Sequence, residues 1–177
     1  MVERLFFALW PSSEVRASLL EQLARISTGA DAESNALPLR FTHPRDLHIT
    51  LVFVGVVEPG QQACVEAAGD AVAVTAFDLC LREISSWGRQ RLWIAQPGQV
   101  PNALLALVDE LRRELMACGV ESERRRYHPH VTLARKAPTI GPVSICLDWP
   151  VADFVLAASS PGRRPSYRII NRWSAVG

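Results

Sequence analysis

A chain of 177 residues that is 49% hydrophobic and 21% charged has enough apolar material for a substantial core, and it lies far from the composition of disordered segments. Its formal net charge of +1 excludes the many cationic contacts needed to coat long nucleic acid but leaves room for a small footprint on an RNA end. The apolar start Leu5-Phe6-Phe7-Ala8-Leu9-Trp10 is shorter than a signal core, and no stretch approaches the ~20 residues of a membrane span, so we expect no membrane partner and a reducing cytoplasm.

Arg4 to Trp10 reads as a buried strand. Pro11-Ser12-Ser13-Glu14 supplies a turn and an N-cap, after which Val15, Leu19, Leu20 and Leu23 keep helical spacing through Ile26. Ser27 to Pro38 has no periodicity and reads as an exposed loop. Arg40 to Thr42 is a short extended piece and Pro44-Arg45-Asp46 a turn. Leu47 to Val57 forms the next strand, with Leu47, Ile49, Leu51 and Phe53 expected on a core face and His48, Thr50 and Val52 on the other. Glu58-Pro59-Gly60 ends it, and a helix fills Gln61 to Val74. Strands at Phe77 to Trp87 and Arg91 to Ala95 flank the turn Gly88-Arg89-Gln90. Pro101 opens the clearest helix, about 27 Å long, which runs to Cys118 with Leu104, Leu105, Val108, Leu111 and Leu115 on one stripe and Gly119 as its stop. Strands at Tyr127 to Arg135, Val143 to Asp148, Phe154 to Ser159 and Tyr167 to Trp173 follow.

This order has no regular β-α alternation, so the fold class is α+β. The four cysteines, Cys64, Cys80, Cys118 and Cys146, form no C-x-x-C pair and are expected to be buried or free thiols.

One stretch occurs twice. His48-Ile49-Thr50-Leu51 returns 82 positions later as His130-Val131-Thr132-Leu133, each copy in an apolar, β-branched run. Residues two apart in a strand share a face, with Cα atoms roughly 7 Å apart, so His and Thr of each copy project together. A single strand histidine is usually structural, whereas two matched copies suit a reaction that needs one base and one acid. Phosphodiester chemistry fits this equipment. One imidazole takes a proton from the attacking oxygen, the other protonates the leaving oxygen, and the threonine hydroxyls hold non-bridging oxygens, with no metal or other cofactor required. Both tetrads, each with its own helices, suggest two lobes facing across a cleft. A basic cluster, Arg112, Arg113, Arg124, Arg125, Arg126, Arg135 and Lys136, surrounds the second tetrad.

The tetrads, the start Arg4-Leu5-Phe6-Phe7-Ala8-Leu9 and the run from His128 to Lys136 resemble the two-histidine (2H) phosphoesterase superfamily, and within it the RNA 2′,3′-cyclic phosphodiesterases, or 2′-5′ RNA ligase-like proteins. The resemblance covers essentially the whole chain. It implies a bilobal α+β domain over residues 1–177, with two antiparallel-rich sheets, helices outside and a central cleft lined by the His-x-Thr strands. It further implies hydrolysis of 2′,3′-cyclic phosphate RNA ends to 2′-phosphomonoesters, and joining of tRNA halves through a 2′-5′ linkage. No obligatory protein partner is implied. The family assignment makes His48 the proton donor to the 3′ oxygen and His130 the acceptor from water, with Thr50 and Thr132 on the phosphate. The near-symmetry of the tetrads leaves that direction open.

Three further residues are candidates for substrate binding. Arg135 matches a basic position of the family, although it lies an odd number of strand steps from His130, so a bulge or the strand's end is needed to turn it into the cleft. Phe7 offers either a ring for a base or core packing, and His128 either lines the cleft or bonds locally. Tyr127 is similarly open, His43 reads as a loop residue, and Trp87 and Trp93 carry no cue beyond burial. The alternatives are a phosphodiesterase of small cyclic nucleotides, a metal-dependent hydrolase using His43, Asp46, His48, His128 and His130, and a non-catalytic RNA-end-binding module.

Overall fold

The computed structural model describes residues 3–30, 39–58, 60–121, 126–160 and 162–175. In chain order these form β1 (Arg4–Leu9), α1 (Ser13–Ala30), β2 (Arg40–Phe41), a 3-10 turn (Pro44–Asp46), β3 (Ile49–Gly55), α2 (Gln61–Asp70), β4 (Phe77–Trp87), β5 (Leu92–Pro97), α3 (Asn102–Met116), β6 (Val131–Arg135), β7 (Val143–Val151), β8 (Asp153–Ser159) and β9 (Tyr167–Ser174). The expected elements are present, with shifted ends. Helix α1 runs on to Ala30, so the loop expected from Ser27 shortens at its start, and its remainder at 31–38 lies outside the described residues, as do Pro59, Arg124 and Arg125. Ser12 caps α1 by accepting the Val15 N–H at 3.3 Å. Beyond the end of α3, Gly119 takes φ +73° and the Val120 N–H reaches back to the Leu115 carbonyl at 3.2 Å. The buried stripe of α3 is Leu104, Leu107, Val108, Leu111 and Leu115, and Leu105 turns outward.

All pairings are antiparallel, in the order β7-β4-β5-β6-β3-β1-β8-β9, with β2 also pairing with β6. The α+β class holds, but the two expected sheets are halves of one. They join at β3 and β6 through the pair Ile49 and Val131. The tetrads are therefore neighbours on one sheet rather than opposed walls. Between β2 and β3 the chain arches away from β6 through the 3-10 turn, which opens a cleft there.

Both tetrad strands carry a bulge at the same place. Phe7 and Ala8 of β1 pair with Val52 and Thr50, which leaves Leu51 as the extra residue; Trp93 and Ile94 of β5 pair with Ala134 and Thr132, which leaves Leu133. Each extra residue reverses the alternation beyond it. Val52 enters the core, and Phe53, expected there, is 56% exposed on the cleft face. Ala134 and Arg135 repeat that pair of positions.

The helices pack on the opposite face. Helix α1 leaves β1 and reaches β7, α3 leaves β5 and reaches β3, and α2 lies against α3 and β9. One apolar core runs beneath both halves, and a small second cluster of Phe6, Ala8, Val155 and Ala157, with Trp10 and Tyr167 against it, covers the cleft face of β1 and β8. Among the described residues no helix is long and apolar enough to cross a membrane.

The thiol expectation holds for Cys80 and Cys146 and fails for Cys64 and Cys118, which form a disulfide. Their 54-residue separation hides a Cα distance of 5.7 Å that exists only because α2 packs against the end of α3. Gln61 strengthens this junction by donating from Nε2 to the Cys118 carbonyl at 2.7 Å.

Trp173 of β9 fills the space under α2, stacked on Phe154 at 5.1 Å and donating from Nε1 to Asp70 at 2.6 Å. A Cβ on Gly69 would lie 2.5 Å from its ring. Alanine in a helix is worth about 1 kcal/mol over glycine, whereas overpacking costs about 1–3 kcal/mol. Gly69→Ala is therefore expected to lower stability, read as a fall in the urea or thermal unfolding midpoint. A rise would show that the ring yields.

Candidate active site

His48 and His130 stand just before β3 and β6, and the antiparallel register about Ile49 and Val131 sets His48 opposite Thr132 and Thr50 opposite His130. All four side chains line one cavity of about 470 Å³, together with Arg135. The bulge at Leu133 supplies the turn that strand alternation denied to Arg135.

Each imidazole is held the same way. His48 Nδ1 lies 2.6 Å from the Asp46 carbonyl, and His130 Nδ1 lies 2.8 Å from the His128 carbonyl. A carbonyl can only accept, so Nδ1 carries the hydrogen in both rings and Nε2 is left to exchange protons. His128 thus serves His130 through its backbone, while its exposed side chain lines an adjoining cavity of about 380 Å³ with Phe53, Trp87, Tyr127 and His130. The Tyr127 hydroxyl donates to the Thr50 carbonyl at 3.1 Å, which ties the approach to the second tetrad to the first.

The surroundings of the two rings differ. His48 stacks on Trp10 at 5.2 Å and 7°, with Phe6 and Tyr167 each 5.0 Å away. His130 has Trp87 at 4.4 Å. Burial among the three aromatics pushes His48 down to about 4, against the opposing pull of the Asp46 carbonyl and carboxylate, while His130 and Arg135 push it further down. His130 is also lowered, chiefly by burial, with the His128 carbonyl opposing and the charges of His128 and Arg135 adding. Asp46 is itself buried, and its carboxylate accepts the Ser166 N–H at 2.8 and 3.0 Å and the Tyr167 N–H at 3.3 Å. One residue therefore orients His48 through its carbonyl and anchors Tyr167 through its side chain.

Phe7 is a correction. It is fully buried on the helix side of β1, against Phe154 and Trp173 at 5.9 and 5.7 Å, and its neighbour Phe6 faces the cleft beneath His48. An all-apolar strand gives no clue to which parity faces which side. The donors of the metal alternative have other partners or stand apart, although His43, Asp46, His48 and His130 line one cavity. His43 Nδ1 accepts the Arg45 N–H, the Asp46 oxygens are taken by backbone, and among the described residues no group of three or more potential ligands is placed to hold an ion. Trp10 and Tyr167 are not singled out by the sequence, and Trp87 reads there as ordinary burial. Their one available signal is aromatic type, which burial explains equally well.

Residues 11–144 match the family described as the 2′-5′ RNA ligase superfamily. The RNA 2′,3′-cyclic phosphodiesterase of Escherichia coli (strain K12) is 30% identical, over 97% of this chain and 96% of the relative. That of Thermus thermophilus is also 30% identical, over 98% and 91%. Among solved structures, E. coli LigT complexed with 3′-AMP superposes with a TM-score of 0.82 at 28% identity over the whole of both chains. TT0787 of Thermus thermophilus gives 0.78 at 27% identity over 97% of each.

The depressed His48 value has a consequence for stability. With an unfolded value near ~6.5, the unfolded chain binds this proton before the folded one does, so stability is full above that pH and declines as the pH falls toward about 4. An NMR titration of the four imidazoles is expected to show His48 neutral through pH 6, with bound inorganic phosphate raising its midpoint. An ordinary midpoint in the free protein would contradict the enclosure described above.

Proposed function

The chain belongs to the 2′-5′ RNA ligase superfamily, and from that membership and the geometry of the cleft we propose that it hydrolyses 2′,3′-cyclic phosphate ends of RNA to 2′-phosphomonoesters. The observation that carries this reading is the matched pair of carbonyl-held imidazoles, each with Nε2 left for proton exchange and each opposite a threonine in the register. In the reaction, water attacks phosphorus and the bond to O3′ breaks. His130 Nε2 takes the water's proton and His48 Nε2 delivers one to O3′. Thr50, Thr132 and Arg135 hold the non-bridging oxygens, Arg135 through its planar fork.

This direction is the one the family assignment gives, and it requires His48, neutral in the free protein, to be charged when substrate is bound. His48, resting on the face of Trp10, gains a cation-π contact when protonated, and a proton held in so enclosed a place is readily given up to an alkoxide. His130 is less enclosed and suits the base that meets water. The bound phosphate anion restores the charge on His48 that burial opposes.

An RNA 5′-hydroxyl in place of water gives a 2′-5′ linkage by the same proton transfers. The 380 Å³ cavity beside His130 favours this second reaction, because a water needs only about 30 Å³. RNA fragments such as tRNA halves carry the required ends.

On an oligonucleotide ending in a 2′,3′-cyclic phosphate, His48→Ala and His130→Ala are each expected to lose about 10²–10⁴ in kcat, and the pH profile of the intact protein to be bell-shaped. Activity is expected to survive EDTA, with a 2′-phosphate product. Wild-type rates in both variants, or an exclusive 3′-phosphate product, would overturn the assignment.

A further inference from the structure

The β2–β6 register sets Arg40 directly opposite Arg135. Like charges facing across a ladder destabilise it, and among the described residues neither arginine has a carboxylate partner, although Arg25, Arg82, Arg112, Arg113, Arg168 and Arg172 all find one elsewhere. Two more guanidinium groups join them. Arg164 Nη2 donates to the Phe41 carbonyl at 3.0 Å, which fixes it beside Arg40, and Arg163 lines the same cavity. Asp46 is the one carboxylate among the lining residues, and its oxygens are already taken by the Ser166 and Tyr167 N–H groups.

A cyclic phosphodiester carries one negative charge, which Arg135 and a protonated imidazole already meet. Arg40, Arg163 and Arg164 are in excess of that need. We propose that these three form a track for the backbone phosphates preceding the cyclic end, so that the site is built for an RNA oligonucleotide rather than for a cyclic mononucleotide. This rests on the hydrolytic reading above. The chain then leaves the cleft over β2 and the segment before β9. The opposite exit is less suited, because Arg112 there is partnered by Asp109 at 3.7 Å, which among the described lining residues leaves Arg126.

The test compares kcat/KM for a 2′,3′-cyclic mononucleotide and for a tetranucleotide with the same end, at low and high salt. The wild type is expected to prefer the tetranucleotide. Arg40→Ala and Arg164→Ala are expected to lower the tetranucleotide value about tenfold each, through KM, and to flatten its log–log salt slope by about 0.7 per arginine removed. The mononucleotide value should hold within about twofold, because these contacts lie outside the cyclic phosphate. Thermal unfolding of Arg40→Ala should not fall, since a like-charge pair is relieved. Equal losses on both substrates, no wild-type preference, or a preference that disappears in Arg126→Ala instead would overturn the track. Hydrolysis of neither substrate by the wild type would overturn the hydrolytic reading itself.

Discussion

The site depends on a backbone pairing at the seam of the sheet. Ile49 and Val131 bring the two halves together at one point, and the residues on either side of that point are the reactive ones. Because the pairing is antiparallel, each histidine meets the other tetrad's threonine, so the repeated sequence closes into one crossed set of four groups. Just beyond, an extra residue in each strand directs Phe53 and Arg135 to the same face as the histidines. The local repetition in sequence thus becomes a local two-fold in structure, with an aromatic ring at one end and a cation at the other.

What breaks that two-fold is burial. His48 is enclosed by Phe6, Trp10 and Tyr167, drawn from the first strand and the last, whereas His130 rests on Trp87 at the end of β4. Identical hydrogen bonds to carbonyls two residues upstream set both tautomers. The difference between the two rings therefore comes from their surroundings and not from their own bonding.

The tetrads, the α+β class and the elements were legible because each rests on period or on adjacent chemistry. His48 with Thr50 is a two-residue spacing, and α3 is an apolar stripe. Features set by distant parts of the chain were not legible. Phe7 and Phe6 are interchangeable until the main core takes one face of β1 and the small cluster around His48 the other, and Cys64 gives no sign of Cys118 until α2 meets α3. Bulges leave no mark either. Leu51 and Leu133 are ordinary strand leucines in sequence, yet they decide where Phe53 and Arg135 point. Asp46 acts partly through a carbonyl, which every residue type possesses.

The helices cross the seam. The strand half containing β1 and β3 is covered in part by α3, which the other half supplies, and the half containing β7 is covered by α1, which β1 supplies. Each half of the sheet is thus roofed by its counterpart, like two hands interlaced. A fragment bearing a single tetrad would carry its strand but lack the helix that shields it, and would leave core leucines such as Leu111 or Leu19 without a surface to cover. Interlacing makes the two histidines a joint property of one folding event, so a half-built cleft with one unpaired proton carrier is disfavoured from the start.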